Sequence, residues 1–212
     1  RLPVLSRHAY VTAAQDNVAG RMPLVEQNEQ SQVVVQTAAP FSADFAGEYP
    51  GLTLYGDAGA LFFADGTSAG ALSATRIPAS GRAYPVESGL APARTWQFGP
   101  GEFVRAGPVA FTLPNVDALP ADRYVLLLGL NSETDVLSVI GAGQVSVDEV
   151  RIEPTGALEL DAVEMVGYVP LDETQSSAVG AIVTASLDVP AHTRESVAPW
   201  VEALRDVALE VG

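Results

Sequence analysis

The chain of 212 residues has no cysteine, so disulfides, thiolate metal sites and cysteine nucleophiles are excluded together. A cysteine-free protein works in reducing or oxidising surroundings, so the compartment stays open. Lysine is also missing. All 11 basic residues are arginine, set against 26 acidic ones, for a formal net charge of −15. A surface this negative repels phosphate backbones and anionic lipids, which argues against nucleic acid as a partner and against membrane insertion. GC-rich coding and adaptation to high salt both account for the missing lysine. The charged fraction of 17% is low for the second. Only two histidines occur, His8 and His192, near opposite ends, so a three-histidine metal site within one chain is impossible. No apolar run approaches the roughly 18 residues of a membrane span. The longest, Tyr124 to Leu130, has the length of a strand. Arg1-Leu2-Pro3-Val4 lacks the apolar region of a signal peptide, and the missing initiator Met leaves open that a leader was removed.

What is present is apolar and heavily punctuated. Hydrophobic residues make up 48% of the chain, too many for a disordered protein and enough for one good core or two small ones. Nineteen Gly and fifteen Pro separate short runs rich in Val, Leu, Tyr and Phe. That spacing predicts many short strands and hence a sandwich or barrel. Strands are expected at Gln32–Thr37, Leu52–Tyr55, Ala60–Ala64, Thr95–Phe98, Glu102–Arg105, Val109–Leu113, Tyr124–Leu130, Val136–Ile140, Gln144–Glu153, Ala157–Val169 and Val179–Leu187. Turns are expected at Asp65-Gly66, Pro100-Gly101, Asn131-Ser132, Gly141-Ala142-Gly143 and Pro154-Thr155-Gly156. Tyr124–Leu130 is apolar on both faces and reads as a central strand covered on both sides. Gln144–Glu153 alternates except at Asp148-Glu149, which suggests a bulge.

The two ends differ from the middle. Residues 1–30 carry polar clusters around short apolar pieces and read as an N-terminal arm or an irregular lead-in, with packing on a neighbouring subunit as one expectation. Residues 191–212 read as the single helix, over Thr193–Val211. Thr193 caps it, Glu195 suits its positive end, and Trp200, Val201 and Leu204 lie on its apolar stripe. The stripe either closes one end of the sandwich or makes a subunit contact through Trp200, Val201 and Leu204.

Several constellations hint at chemistry. Gly66-Thr67-Ser68-Ala69-Gly70 follows a strand-like run and fits the nucleophile-elbow pattern. Ser68, then Asp161, Asp172 or Asp188, then His192 repeats the residue order of the α/β-hydrolases. No helix is expected after Ser68, however, and no oxyanion loop precedes it. Asp148-Glu149, Asp172-Glu173 and Glu133/Asp135 could serve a glycosidase or bind calcium, but adjacent carboxylates are expected by chance in so acidic a chain. No phosphate-binding glycine loop stands in a strand–helix setting.

One stretch, Arg94–Glu153, is ordered in a suggestive way. Arg94-Thr95-Trp96-Gln97-Phe98 leads to Val109-Ala110-Phe111-Thr112-Leu113-Pro114, then Arg123 to Leu130, then Val145 to Ile152. This resembles the later half of galactose-binding-like jelly rolls, the fold of many carbohydrate-binding modules. The closing motif there is Asp-Asp-Val, and here it is Asp148-Glu149-Val150. The resemblance spans about residues 94–154 and implies sugar binding; in a carbohydrate-binding module Trp96 or Tyr84 would stack on the sugar rings. Phage structural proteins also use such sandwiches, so fold alone assigns no function.

The expectation is therefore an all-β, jelly-roll-like β-sandwich over residues 31–190, with an N-terminal arm over 1–30 and a C-terminal helix over 191–212. No catalysis, cofactor or metal is expected. The expected role is an outward-facing structural subunit of a virus particle or similar surface assembly, such as a capsid, decoration or appendage protein, on the virion or an extracellular surface. It would contact itself or other structural subunits. A carbohydrate-binding module is the alternative, and a serine hydrolase using Ser68 and His192 the second alternative.

Overall fold

The computed structural model describes residues 26–82, 84–90, 93–100, 103–131, 134–155, 160, 162–187 and 198–209. In chain order the strands are β1 (Val33–Gln36), β2 (Phe41–Asp44), β3 (Thr53–Gly56), β4 (Leu61–Phe62), β5 (Ala69–Ile77) and β6 (Arg94–Gly99). They continue as β7 (Val104–Arg105), β8 (Val109–Pro114), β9 (Tyr124–Asn131), β10 (Val136–Val145), β11 (Arg151–Pro154) and β12 (Ala162–Pro170). Two helices follow, α1 (Glu173–Leu187) and α2 (Ala198–Leu209).

Ten strands form one sheet in the order β1-β5-β6-β12-β9-β10-β11-β8-β3-β2, and β4 pairs with β7 in a separate ribbon. Every ladder is antiparallel. The edge strands β1 and β2 lie side by side without pairing, so the sheet curls into a nearly closed barrel. The fold is thus mostly β, as the strand-rich pattern predicts.

Alternation along the strands sorts side chains into an inside and an outside. Leu54, Leu72, Trp96, Phe98, Phe111, Leu127 and Tyr168 point into one buried interior. Trp96 stacks on Tyr168 with ring centroids 6.0 Å apart, and Phe45 meets Phe98 at 5.8 Å. The β4–β7 ribbon plugs one end, where Phe63 meets Phe103 edge-on at 6.0 Å.

β9 is buried on both sides, as its sequence requires. Its outward Leu126 and Leu128, with Val139 and Ala142 of β10, are covered by Val179 and Val183 of α1 and Leu204 of α2. Each such leucine or valine stabilises the fold by about 1.5–3 kcal/mol on burial. Residues 84–90 cover the next strip. Tyr84 and Val86 pack on Leu130, Leu137 and Met165. This crossing segment is held by Leu137 N donating to Pro85 O (2.8 Å) and by the Glu87–Arg205 ion pair (2.8 Å) to α2.

Several expectations need correction. Val179–Leu187 is not a strand but the second half of α1, so the described residues hold two α-helices rather than one. The helix starts because Asp172 Oδ1 accepts from Gln175 N (2.8 Å) while Asp172 N donates to Gln175 Oε1 (3.1 Å), a reciprocal capping box. The acidic pair Asp172-Glu173 is thus a helix start. Gln144–Glu153 is no single strand. It is the end of β10, a turn at 146–150 with Glu149 at φ 58°, and β11. Gly141-Ala142-Gly143 is no turn either. β10 runs straight through it, and a Cβ on Gly143 would lie 2.7 Å from Ile152 Cγ2, so glycine serves close packing there.

Strands β2 and β5 were not anticipated. Residues 26–31, the end of the stretch expected to form an arm, are attached to the barrel of their own chain. Asn28 N donates to Thr75 Oγ1 (2.9 Å), and Ser31 Oγ accepts from Ala74 N (2.9 Å). Residues 1–25 lie outside the described residues, as do Thr193 and Glu195.

Candidate functional site

The barrel interior is filled by side chains, so it is no ligand cup. What remains for function is the outer surface and the end opposite the β4–β7 ribbon. That end is capped by residues 115–123 and by the 146–150 turn. Asn115 Nδ2 donates to Leu119 O (2.8 Å) and Glu149 O (2.9 Å), joining the two.

A polar network anchors this cap. Arg94 Nη2 donates to Asp117 Oδ1 (2.6 Å), and Tyr168 Oη donates to Asp117 Oδ2 (2.7 Å). Burial, then the Asp117 hydrogen bond, pushes the Tyr168 phenol well above its ordinary value of 10.0. A phenol so hard to ionise is no base at neutral pH, so the network reads as an anchor for the cap.

Beside the cap lies an open groove of about 540 Å³, lined by Asp122, Gln144, Asp148, Arg151, Glu153 and Thr155 among others. Arg151 Nε donates to Glu153 Oε1 (2.6 Å), and Gln144 Nε2 to Asp122 O (3.3 Å). Ser146 Oγ donates to Asp148 Oδ1 (2.5 Å), which holds the Asp148 carboxyl below its ordinary value. Asp148-Glu149, a carboxylate pair in the sequence, is therefore the tip of a hairpin.

The second surface feature is a bare half of the barrel. Apart from the buried Pro114 at the end of β8, the outward side chains of β11, β8, β3, β2 and β1 are exposed or half-exposed. Across this face Tyr55 stands opposite Ser42 on one side and Ala110 on the other. Tyr55 is 40% exposed and Val34 of β1 is 85% exposed. Sequence reasoning missed Tyr55 because its strand alternates only weakly. Its signal is the polar or small character of its cross-strand neighbours, visible only once the register is known.

The anticipated site residues fall elsewhere. Trp96 and Tyr84 are 0% and 1% exposed, so neither offers a face to a sugar ring. Trp96 is interior, and Tyr84 Oη donates to Glu164 Oε2 (3.0 Å) on the covered side. Ser68 sits in the β4–β5 connection, and its carbonyl accepts from Thr37 N (2.7 Å). A strand, β5, follows it at once, so the helix that a nucleophile elbow needs is not there. His192, Asp161, Asp188 and His8 lie outside the described residues. Leu204 is fully buried against its own barrel, which removes it from the expected subunit contact. Trp200 and Val201 lie on α2, but their side chains are outside the described residues.

No family model, curated protein or solved structure matches this chain. Among the described residues, no group of three or more His, Asp or Glu could hold a metal ion, and no helix is long and apolar enough to cross a membrane.

Proposed function

We propose that this chain is a non-enzymatic structural subunit of a virus particle or similar surface assembly, placed outward and using the bare half of its barrel for contact with copies of itself or with other subunits. The observation that carries this reading is the asymmetry of the barrel wall. One half is sealed by α1, α2 and residues 84–90, while the other presents Tyr55, Ala110, Ser42 and Val34 with no covering layer among the described residues. An amphipathic residue such as Tyr55 between small neighbours is what a protein contact favours. The net charge of −15 supports an outer position away from packaged nucleic acid. The jelly-roll kinship belongs to the same proposal, since two opposed halves close over one core.

Sedimentation velocity tests the reading. The parent is expected to form a defined oligomer, and Tyr55→Arg to shift it towards monomer without lowering the melting temperature. A strictly monomeric parent at high concentration contradicts self-association. Carbohydrate binding is the second reading, now favoured by the polar groove rather than by Trp96 or Tyr84.

A further inference from the structure

We infer that residues 1–25 of one copy seat on the bare half of a neighbouring copy. This rests on the self-contact proposed above and names the segment that makes it.

Charge is divided unequally along the chain. Residues 1–25 hold Arg1, Arg7 and Arg21 against the single Asp16, a net +2. Residues 26–212 then hold 25 acidic residues against eight arginines, a net −17. Two bodies this acidic repel each other, whereas a basic segment is drawn to either of them. The same segment is apolar between its charges, with Leu2, Val4, Leu5, Tyr10 and Val11 ahead of Asp16. It therefore suits a floor that is free of charge and has carboxylates at its margin.

The bare half is such a floor. Ala69 and Ala71 of β5, Val34 and Gln36 of β1, Ser42 of β2 and Tyr55 of β3 are exposed and carry no charge. Asp44, at the end of β2, and Asp57, just past β3, are exposed at its margin. A charge-poor centre with a charged rim is the composition of a protein contact. An uncharged surface this wide is unexpected in a body of net −17 unless something covers it.

The course of the described chain favours a neighbour over the chain's own barrel. Followed back from β1, Ser31 is bound at Ala74 of β5, and Asn28 N donates to Thr75 Oγ1 of β5 (2.9 Å). Gln27 then lies against β6, where a Cβ on Gly99 would collide with its Nε2. Each step back leads from β1 towards β6, away from β2 and β3. Residues 1–25 thus join the barrel on the side that faces away from its own bare half.

Sedimentation velocity and photo-crosslinking on the full chain test this together. Arg1→Glu, Arg7→Glu and Arg21→Glu in one chain should weaken assembly about tenfold, and the three lysine replacements should keep it. On the floor, Gln36→Arg should weaken assembly and Gln36→Glu should not, because the occupant is basic. Circular dichroism confirms that each variant is folded. For the crosslinking, chains with p-benzoylphenylalanine in place of Tyr10 are mixed with isotope-labelled chains, irradiated and read by mass spectrometry. Links from the unlabelled chain to β1, β2 or β3 of the labelled one are expected. A parent that stays monomeric at high concentration overturns this inference and the self-contact together. Three results in an assembling parent overturn this inference alone: links only within one chain or only to other elements, assembly unmoved by the three glutamates, or equal weakening by Gln36→Glu and Gln36→Arg.

Discussion

The two halves of the barrel wall share an interior and differ outside. In the covered half, β9 and β10 turn leucine, valine and alanine outward, and these are buried under α1 and α2. In the bare half, β3 and β8 turn threonine, alanine and tyrosine outward, and these meet solvent. The same fold therefore carries two kinds of surface, and the outward residues alone decide which. Burial of both faces of a strand marks structural cover, and a small, polar outward row marks a face left for something else.

The comparison breaks first if the covered half tolerates charge. Leu128→Asp places an unpaired carboxylate under α1 and is expected to cost more than about 4 kcal/mol, enough to prevent folding. Ser42→Asp, at an exposed position of β2 in the bare half, should stay within about 0.5 kcal/mol of the parent. Urea denaturation measures both, and equal costs would erase the distinction.

The next test concerns whether α2 belongs to the barrel. Leu204→Ala should lose about 2–5 kcal/mol, because Leu204 is fully buried against the covered half. A change near zero would mean that α2 is not part of the core.

Tyr168→Phe sharpens the picture at the cap. It leaves Asp117 Oδ2 without its phenol donor and should cost about 1–3 kcal/mol. The sign of the pH effect follows from the raised phenol. In the unfolded chain the group ionises near 10.0, while in the folded chain it stays protonated, so its contribution is complete below that pH and is lost as pH rises above it. Thermal unfolding between about pH 9 and pH 11 should show the parent losing stability more steeply than Tyr168→Phe, by about 1.4 kcal/mol per unit above the phenol's ordinary value. Parallel profiles would contradict the assigned burial of the phenol.

The smallest effect is local. Asp172→Ala removes one partner of the capping box and should cost about 0.5–2 kcal/mol, seen as a lower melting temperature.

Much of the β framework was legible in the residues. Val109–Leu113 and Thr95–Phe98 alternate or pair bulky groups, and they are β8 and β6 to within a residue at each end. β9 announced its double burial through an unbroken apolar run. The failures have physical causes. β5 opens on Ala69, Gly70 and Ala71 and continues through Ser73 and Ala74, small residues that carry little hydrophobic signal around the single Leu72. Its Gly70 is small because Phe63 lies against it, where a Cβ would come within 2.6 Å of the ring. α1 holds Val179, Ile182 and Val183, whose β-branched side chains suggested a strand. Its capping box, Asp172 with Gln175, is present in the sequence, but the adjacent Asp172-Glu173 gives the stronger signal, that of a carboxylate pair. The aromatic chemistry of Trp96 and Tyr84 suits a sugar ring, but chemistry does not reveal which way a side chain faces, and both are buried. The groove was beyond reach, because it joins residue 122 to residues 144–155 through a register that no short motif encodes.

Hydrogen exchange, followed by mass spectrometry on the full chain at low and at high protein concentration, tests the central claim most directly. The account predicts that concentration slows exchange in β1, β2, β3 and β8, and leaves α1, α2 and β9 unchanged. Slowing confined to the helices, or no slowing in the bare strands while the protein assembles, would contradict it.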